Sequence, residues 1–371
     1  MKIKDITNCI EEIAPLTHAE DFDNVGLLVG AYGTDATGVL ITLDTLESVV
    51  DEAIEKDCNL IVSFHPIIFG GLKKLNGNNY VERVVLKAIK NDIAIYAMHT
   101  ALDNSFEGVN AKISEVLGLS NTKILIPKKG LIRKLTTYVP SEIAESLRSK
   151  LFEAGAGNIG NYDSCSFNAE GHGTYKGNED SNPVVGTKGE LHIEKETQIS
   201  VIFEKQNEGK ILNALFKNHP YEEVAYDVVS TENKHQKIGM GMIGELETAM
   251  SEESFLNHLK KTMKTDCIRH SKLLNKPIKK VAVLGGSGSF AINAAKGAGA
   301  DIFVTSDLKY HEFFKAENKL VLADIGHYES EQFTKNLLVD YLTKKITNFA
   351  PALPIGKIVL SENNTNPIYY R

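Results

Sequence analysis

Six apolar runs, three towards each end of the chain, alternate with amphipathic stretches, and this alternation limits the fold more than any other feature. In the N-terminal part, "GVLITLD", "NLIVSFHP" and "AIYAMHT" are separated by "LESVVDEAIEKD" and "YVERVVLKAIKND", whose apolar residues recur at helical spacing. In the C-terminal part, "VAVLGG", "DIFVTSD" and "KLVLADIG" are separated by "FAINAAKGAG" and "YHEFFKAE" and followed by the amphipathic "FTKNLLVDYLTKK". Runs that are apolar at consecutive positions suit strands buried on both faces, and helices crossing between them give parallel sheets. Residues 1–127 and 242–371 are therefore predicted to be two similar α/β halves forming one unit.

The middle of the chain has a different texture. "KLTTYVP", the helical "SEIAESLRSKLFEAG", extended segments near "CSFNAE" and "QISVIFEK", the helical "EGKILNALFKN" and "EEVAYDVV" spell β-α-β-β-α-β. That order is ferredoxin-like, so residues 128–241 are expected to be an inserted α+β domain. The glycine-rich "GTYKGNEDSNPVVGTKGE" reads as a long hairpin excursion, and "KIGMGMIGE" as the close of the insert.

In open α/β sheets, ligands gather at the carboxyl ends of the strands. The runs deliver Asp44, His65, and His99 with Asp103 from one half, and Asp307, His311, and His327 with Glu331 from the other. Imidazoles mixed with carboxylates suit zinc, iron or manganese rather than calcium. Each residue also has a plainer reading. His327 and Glu331, four apart after a glycine, would face one another on a first helical turn, where an acid is favoured by the helix dipole without any metal. His99 with Asp103 could be an N-cap arrangement, His65 a packed histidine before Pro66, and Asp44 and Asp307 helix caps. What favours a metal is their coincidence at one edge.

A competing chemistry lies in "VAVLGGSGSFAINAA", where Gly286, Gly288 and Ala291 fit GxGxxA between a strand and a helix, with Asp307 at the next strand end. That is a dinucleotide fingerprint in outline. "HPYEE", His219 to Glu223, reads as a metal site or as a turn entering a strand, and "IPKKG" as a solvated linker. A net charge of −7 gives no general attraction to phosphate backbones. Four scattered cysteines without a CxxC pair suggest neither a disulfide framework nor a thiolate zinc site. No run approaches the roughly 20 apolar residues of a membrane helix. "MKIKDITNCIEEIAPL" carries acids within its apolar face, unlike a signal peptide, so a cytoplasmic location is expected.

The series "DFDNVGLLVG", "FHPIIF", "HTALD", "LGGSGS", "TSDLKYHE" and "DIGHYESE" resembles the NGG-interacting-factor-like dinuclear metal proteins, also called GTP cyclohydrolase 1 type 2 homologues. "EAGAGNIGNY" and "HPYEEVAYD" resemble the insert of the family's longer members, itself similar to PII and CutA proteins. The resemblance implies a toroidal homohexamer with a dinuclear divalent-metal centre in each subunit. It implies His65 and Asp103 on one ion, His327 on the other, and Glu331 bridging both. One departure matters: where the family has "HHP", this chain has Phe64-His65-Pro66. Phenylalanine has no lone pair to donate, so one metal position is expected to be well formed and the second to be incomplete. Expected functions are a metal-dependent hydrolase acting on a nucleotide or phosphoester, with Glu329, Asp307 and His311 near the ligand segments. The alternatives are a non-catalytic metal-binding or regulatory hexamer, and a dinucleotide-binding protein using Gly286 to Ala291.

Overall fold

The computed structural model describes residues 1–349 and 357–371. It divides into two compact units, Met1–Pro127 with Lys237–Arg371, and Lys128–Gln236.

In the first unit, strands Val39–Thr42, Leu60–Ser63 and Ala94–Ala97 are buried at every position and pair in parallel. The alternation of side chains explains why. Leu40, Ile61 and Ile95 point to one core, which they share with Val49, Val50 and Ala53 of helix Glu47–Glu55 and Val84, Val85 and Ala88 of helix Tyr80–Lys90. Val39, Ile41, Val62 and Tyr96 point to another core, which they share with Ile3, Ile6 and Ile10 of the first helix. The second sheet has Ile278–Ser287, Ile302–Ser306 and Val321–Asp324 in parallel, again fully buried along the two inner strands. Truncating one of the buried leucine or isoleucine side chains among these to Ala would cost about 2–5 kcal/mol.

The sheets are mixed rather than purely parallel. Gly26–Val29 joins the first sheet antiparallel to Ala94–Ala97, and Gly239–Met250, Leu119–Pro127 and Arg269–His270 join the second antiparallel to their neighbours. Nor is each half contiguous in sequence. Ile358–Leu360, from the C-terminal end, extends the first sheet beside Val39–Thr42, and Leu119–Pro127, from the N-terminal half, forms an edge of the second. An apolar edge strand left uncovered is a liability for pairing with another chain, and these exchanges cover one edge of each sheet. "KIGMGMIGE" lies in this unit too, because Met242, Ile243 and Leu246 are core residues of the second sheet's strand Gly239–Met250. "YHEFFKAE" forms a 3₁₀ helix, Tyr310–Ala316, and the helix after the glycine-rich loop is only Ile292–Gly297.

The insert contains strands Ile132–Pro140, Ser166–Tyr175, His192–Glu204 and Tyr226–Ser230 with helices Ala144–Glu153 and Glu208–Asn218. All neighbouring strands are antiparallel, and the first strand sits between the third and the fourth. The helices cover one sheet face, packing Leu147, Leu151, Ile211 and Leu215 on Leu135, Val139, Ile199, Val201 and Phe203.

Candidate metal centre

Two strands of the first sheet and two of the second end in the residues that matter. Just past Val39–Thr42, Asp44 is fixed by Thr42 Oγ1 donating to its carbonyl at 2.9 Å. Just past Leu60–Ser63, His65 donates its backbone N–H to Leu43, and Ser63 Oγ caps its carbonyl at 2.8 Å. His65 Nδ1 then lies 2.8 Å from Asp44 Oδ1. In the second sheet, Asp307 follows Ile302–Ser306 with a left-handed φ of 57°. Its Oδ2 lies 2.6 Å from His327 Nδ1 and accepts from Ser287 Oγ at 2.5 Å. Gly326, with φ of 93°, turns the chain into the single-turn helix His327–Glu331.

This short helix brings His327 and Glu331 together in the way their spacing suggested. Glu331 Oε2 lies 3.2 Å from His327 Nε2 and 3.2 Å from His65 Nε2, and the two Nε2 atoms are 3.4 Å apart. Donor atoms of all three residues fall within 4.8 Å of one another, the one such group among the described residues. Glu331 is 3% exposed and its Oε2 has no hydrogen-bond partner.

The chemistry of this donor set fits a cation. Each Nδ1 faces a carboxylate and is the protonated nitrogen of its ring, as in carboxylate–histidine–metal arrangements. The Nε2 lone pairs then converge on one another and on a carboxylate oxygen. Three acceptors at this spacing repel unless protons or a metal ion lie among them. With protons alone, burial pulls both imidazoles downward, but their carboxylate partners outweigh it. Hydrogen bonding to Asp44 and the charge of Glu331 hold His65 up to about 10, and Asp307 with Glu331 hold His327 up to about 11. Burial would raise Glu331, yet the two imidazoles bring it down to about 2.

Asp103 lies outside the three-residue cluster. Its carboxyl is pushed well upward, first by burial and then by the charge of Glu331, and its Oδ1 is buried without a hydrogen-bond partner. His99 is also outside: it holds a left-handed φ of 31°, and its Nδ1 lies 2.8 Å from Asp23 Oδ1. Phe64 is fully buried, its ring 4.9 Å from that of His65 and 5.7 Å from that of His99. Asp44 and Asp307 are neither helix caps nor members of the cluster, but orient the two imidazoles. His311 is exposed, and Glu329 is buried and accepts from Asn366 Nδ2 at 2.9 Å. His219 sits in the insert with Nε2 2.9 Å from the Tyr138 carbonyl and Nδ1 accepting from the Tyr221 N–H, the turn arrangement rather than a metal site.

The glycine-rich loop is occupied by this centre. A Cβ on Gly286 would fall 2.5 Å from Glu331 Oε1, one on Gly285 3.2 Å from Glu331 Cγ, and one on Gly288 2.0 Å from Thr305 Oγ1. Gly286 also donates its N–H to Ser330 Oγ at 2.9 Å. Gly285 and Gly286 make room for the helix that carries Glu331 and Gly288 for Thr305 of the neighbouring strand, so close packing accounts for these glycines without a dinucleotide.

Two contributing residues had no role legible in the sequence, although Asp23 falls within "DFDNVGLLVG". Thr365, buried in the C-terminal tail, donates Oγ1 to Asp44 Oδ2 at 2.6 Å, and so fixes the second oxygen of the carboxylate that orients His65. Asp23 holds His99 and accepts from the Thr100 N–H. Their partners lie far away in sequence, 321 residues for Thr365 and 76 for Asp23, so no local pattern marks them.

Comparison with known proteins agrees with the fold and the motifs. The family model Duf34/NIF3 (NGG1p interacting factor 3) matches residues 1–367. A protein named GTP cyclohydrolase 1 type 2 homolog from Bacillus subtilis is 38% identical over 98% of this chain and 97% of its own length. One of the same name from Staphylococcus epidermidis is 36% identical over the whole of both chains. The crystal structure of a Bacillus cereus protein related to NIF3 superposes with a TM-score of 0.85 at 37% identity, covering 100% of this chain and 99% of that one. The chain belongs to the Duf34/NIF3 family.

Proposed function

We propose that the chain is a divalent-cation-dependent hydrolase acting on a nucleotide or phosphoester, with His65, Asp103, His327 and Glu331 as ligands. One observation carries this reading: two imidazole nitrogens and a buried carboxylate oxygen converge with no hydrogen bond among the described residues satisfying that oxygen. The mixed nitrogen and oxygen donors favour zinc, with iron or manganese as alternatives. Asp103 is included because the charges of Glu331, His65 and His327 all act on it. Phe64 offers no donor, so one well-held ion per chain is the expected stoichiometry.

When bound, such an ion supplies Lewis-acid polarisation of a substrate oxygen and lowers the pKa of a coordinated water, from 15.7 towards about 7 in the best case. The protein's own part is to hold the ligands. Asp44 and Asp307 keep each imidazole in the tautomer that presents Nε2, and Glu331 supplies the negative charge. The names of the relatives support a nucleotide substrate by similarity alone.

A second reading, a non-catalytic metal-binding or regulatory assembly, is favoured by a separate observation. Around the cluster, Asp44 is committed to His65 and Thr365, Asp307 to His327 and Ser287, and Glu329 to Asn366. These carboxylates have no free role as a general base. The resemblance supports a homohexamer and a PII/CutA-like insert. Among the described residues, no helix is long and apolar enough to cross a membrane.

Metal analysis of the purified protein, followed by assay of zinc-, iron- or manganese-loaded protein with GTP and a panel of phosphoesters, tests both readings. The hydrolase reading expects one equivalent of metal and turnover that Glu331→Gln abolishes. Metal binding without turnover on any of these substrates favours the second reading. Absence of metal binding overturns both, and sedimentation gives the oligomeric state.

A further inference from the structure

The insert carries a cleft of about 930 Å³ on the sheet face turned away from its helices. That size is near the upper end of the roughly 300–1,000 Å³ usual for small-molecule sites. Its depth comes from missing side chains. Across the strands, Ala169 pairs with Gln198, Gly171 with Glu196 and Gly173 with Glu194. A Cβ on Gly173 would fall 2.1 Å from Glu196 Oε2, whereas a Cβ on Gly171 would meet nothing within 4 Å. The Glu196 side chain therefore lies over Gly173, and the space above Gly171 is open.

The walls are aromatic. Tyr138, Tyr175 and Tyr221 line the cleft, with the rings of Tyr175 and Tyr221 5.9 Å apart and edge-on. At the floor Glu196 is 8% exposed, and its Oε1 accepts from the Tyr221 hydroxyl at 2.9 Å. Asp180, Glu196, Glu222 and Glu223 line the cleft against the one ammonium of Lys176, while the Glu170 side chain alternates to the other sheet face and pairs with Lys195. A wall of that sign repels nucleotides and other polyanions and raises the local concentration of cations. A bare divalent ion is poorly served here, because the one group of three closely spaced donor side chains among the described residues is the histidine–glutamate cluster of the other unit.

We propose that this cleft binds an organic ammonium ion with an apolar body. The ammonium meets the Glu196 carboxylate and the tyrosine ring faces, which attract cations through their quadrupole, and the body fills the space above Gly171. This site stands independently of the metal centre.

Calorimetric titration of the full chain with phenethylamine, with ATP as the anionic competitor, tests it. The expected result is saturable binding of one molecule per chain with Kd below about 1 mM, not displaced by ATP. Glu196→Gln should weaken binding at least about tenfold. Gly171→Val should abolish it with Tm unchanged, because the added branch suits a strand and enters open space. Should Glu196→Gln lower Tm, Gly171→Val carries the test alone. No saturable binding to the wild type in that range, undiminished binding by Gly171→Val, or displacement by ATP would overturn the proposal.

Discussion

The strand ends of the first unit and the helix-free sheet face of the insert both gather ionisable residues, but by opposite means. At the strand ends the groups hold one another around a buried carboxylate: Asp44 grips His65, Asp307 grips His327, and both imidazoles face Glu331. On the insert face the groups are spread around a cleft, and the open room between them lies above Gly171, beside the Glu196 side chain that covers Gly173. A mutually held cluster is preorganised for a small, highly charged ion, since little side-chain freedom remains to be lost on binding. An open cleft suits a larger ligand held by area and a few contacts. Substitutions should therefore act steeply and cooperatively in the first region, and shallowly and separately in the second.

The largest effect is expected from Glu331→Gln. An amide keeps the shape of the carboxylate but removes the charge that three neighbours feel, and replacing an outer partner alone costs about 10–100-fold in metal affinity. Loss of a ligand should exceed that, so titration of chelator-treated protein with zinc should show affinity lowered by more than about 100-fold. Glu196→Gln, measured in parallel, should leave zinc affinity unchanged. Equal effects of the two would erase the distinction between the regions.

Next come the orienting carboxylates. Asp44→Asn and Asp307→Asn should each lower zinc affinity by about 10–100-fold, because an amide can present N–H to Nδ1 and stabilise the wrong tautomer. Thr365→Val removes only the hydrogen bond to the other oxygen of Asp44. At about 1 kcal/mol for such a bond, its effect should be roughly fivefold. Thr365→Val as damaging as Asp44→Asn would mean that the tail, rather than the carboxylate, positions His65.

Acidity separates the two states of the cluster. In the metal-free protein, His65 and His327 are raised to about 10 and about 11 by their carboxylate partners. Their stabilisation is complete below the unfolded imidazole value of about 6.5 and is lost as pH climbs through those raised values. Glu331, lowered to about 2, stabilises above the ordinary carboxylate range and loses its contribution as pH falls towards 2. Metal affinity should move the other way, rising with pH as protons leave the Nε2 atoms. Calorimetric Tm of metal-free protein should therefore fall between pH 7 and about 10 while zinc affinity increases. A flat metal-free profile would show that the imidazoles are not protonated together.

The same contrast explains what could be read in the sequence. Asp44, His65, Asp307 and His327 each follow an apolar run directly, so the strands that form the core also point to the residues at their ends. The spacing of His327 and Glu331 was legible because one helical turn fixes it. The roles of Asp44 and Asp307 were not legible, since an acid at a strand end reads equally as a cap, a ligand or a hydrogen-bond partner until the imidazole's position is known. The strand exchanges of Leu119–Pro127 and Ile358–Leu360 depend on which edge is open, which no local pattern records. The glycine-rich loop admits two readings for a physical reason: close packing of backbone against Glu331 and Thr305 demands the same glycines that close approach to a pyrophosphate would. The insert's helices and strands were readable from their periodicity. Its cleft was not, because an absent side chain becomes a cavity only once cross-strand register places Gly171 opposite Glu196.

The smallest effect is expected at the insert's exposed ion pair, Lys195 with Glu170, whose nitrogen and oxygen lie 3.3 Å apart and whose side chains are 59% and 72% exposed. Water and salt screen such a pair, and holding two long side chains in one geometry costs entropy that offsets most of the attraction. Lys195→Ala should therefore change stability by no more than about 0.5 kcal/mol in chemical denaturation, in low salt or high. Its distance is close to the 3.2 Å between Glu331 and each imidazole, yet the expected consequences differ widely. Separation alone does not rank these contacts, because burial decides whether solvent can replace a lost partner. A loss at Lys195 well beyond that range would mean that this pair is covered in solution, and its strength would then follow burial as the Glu331 contacts do.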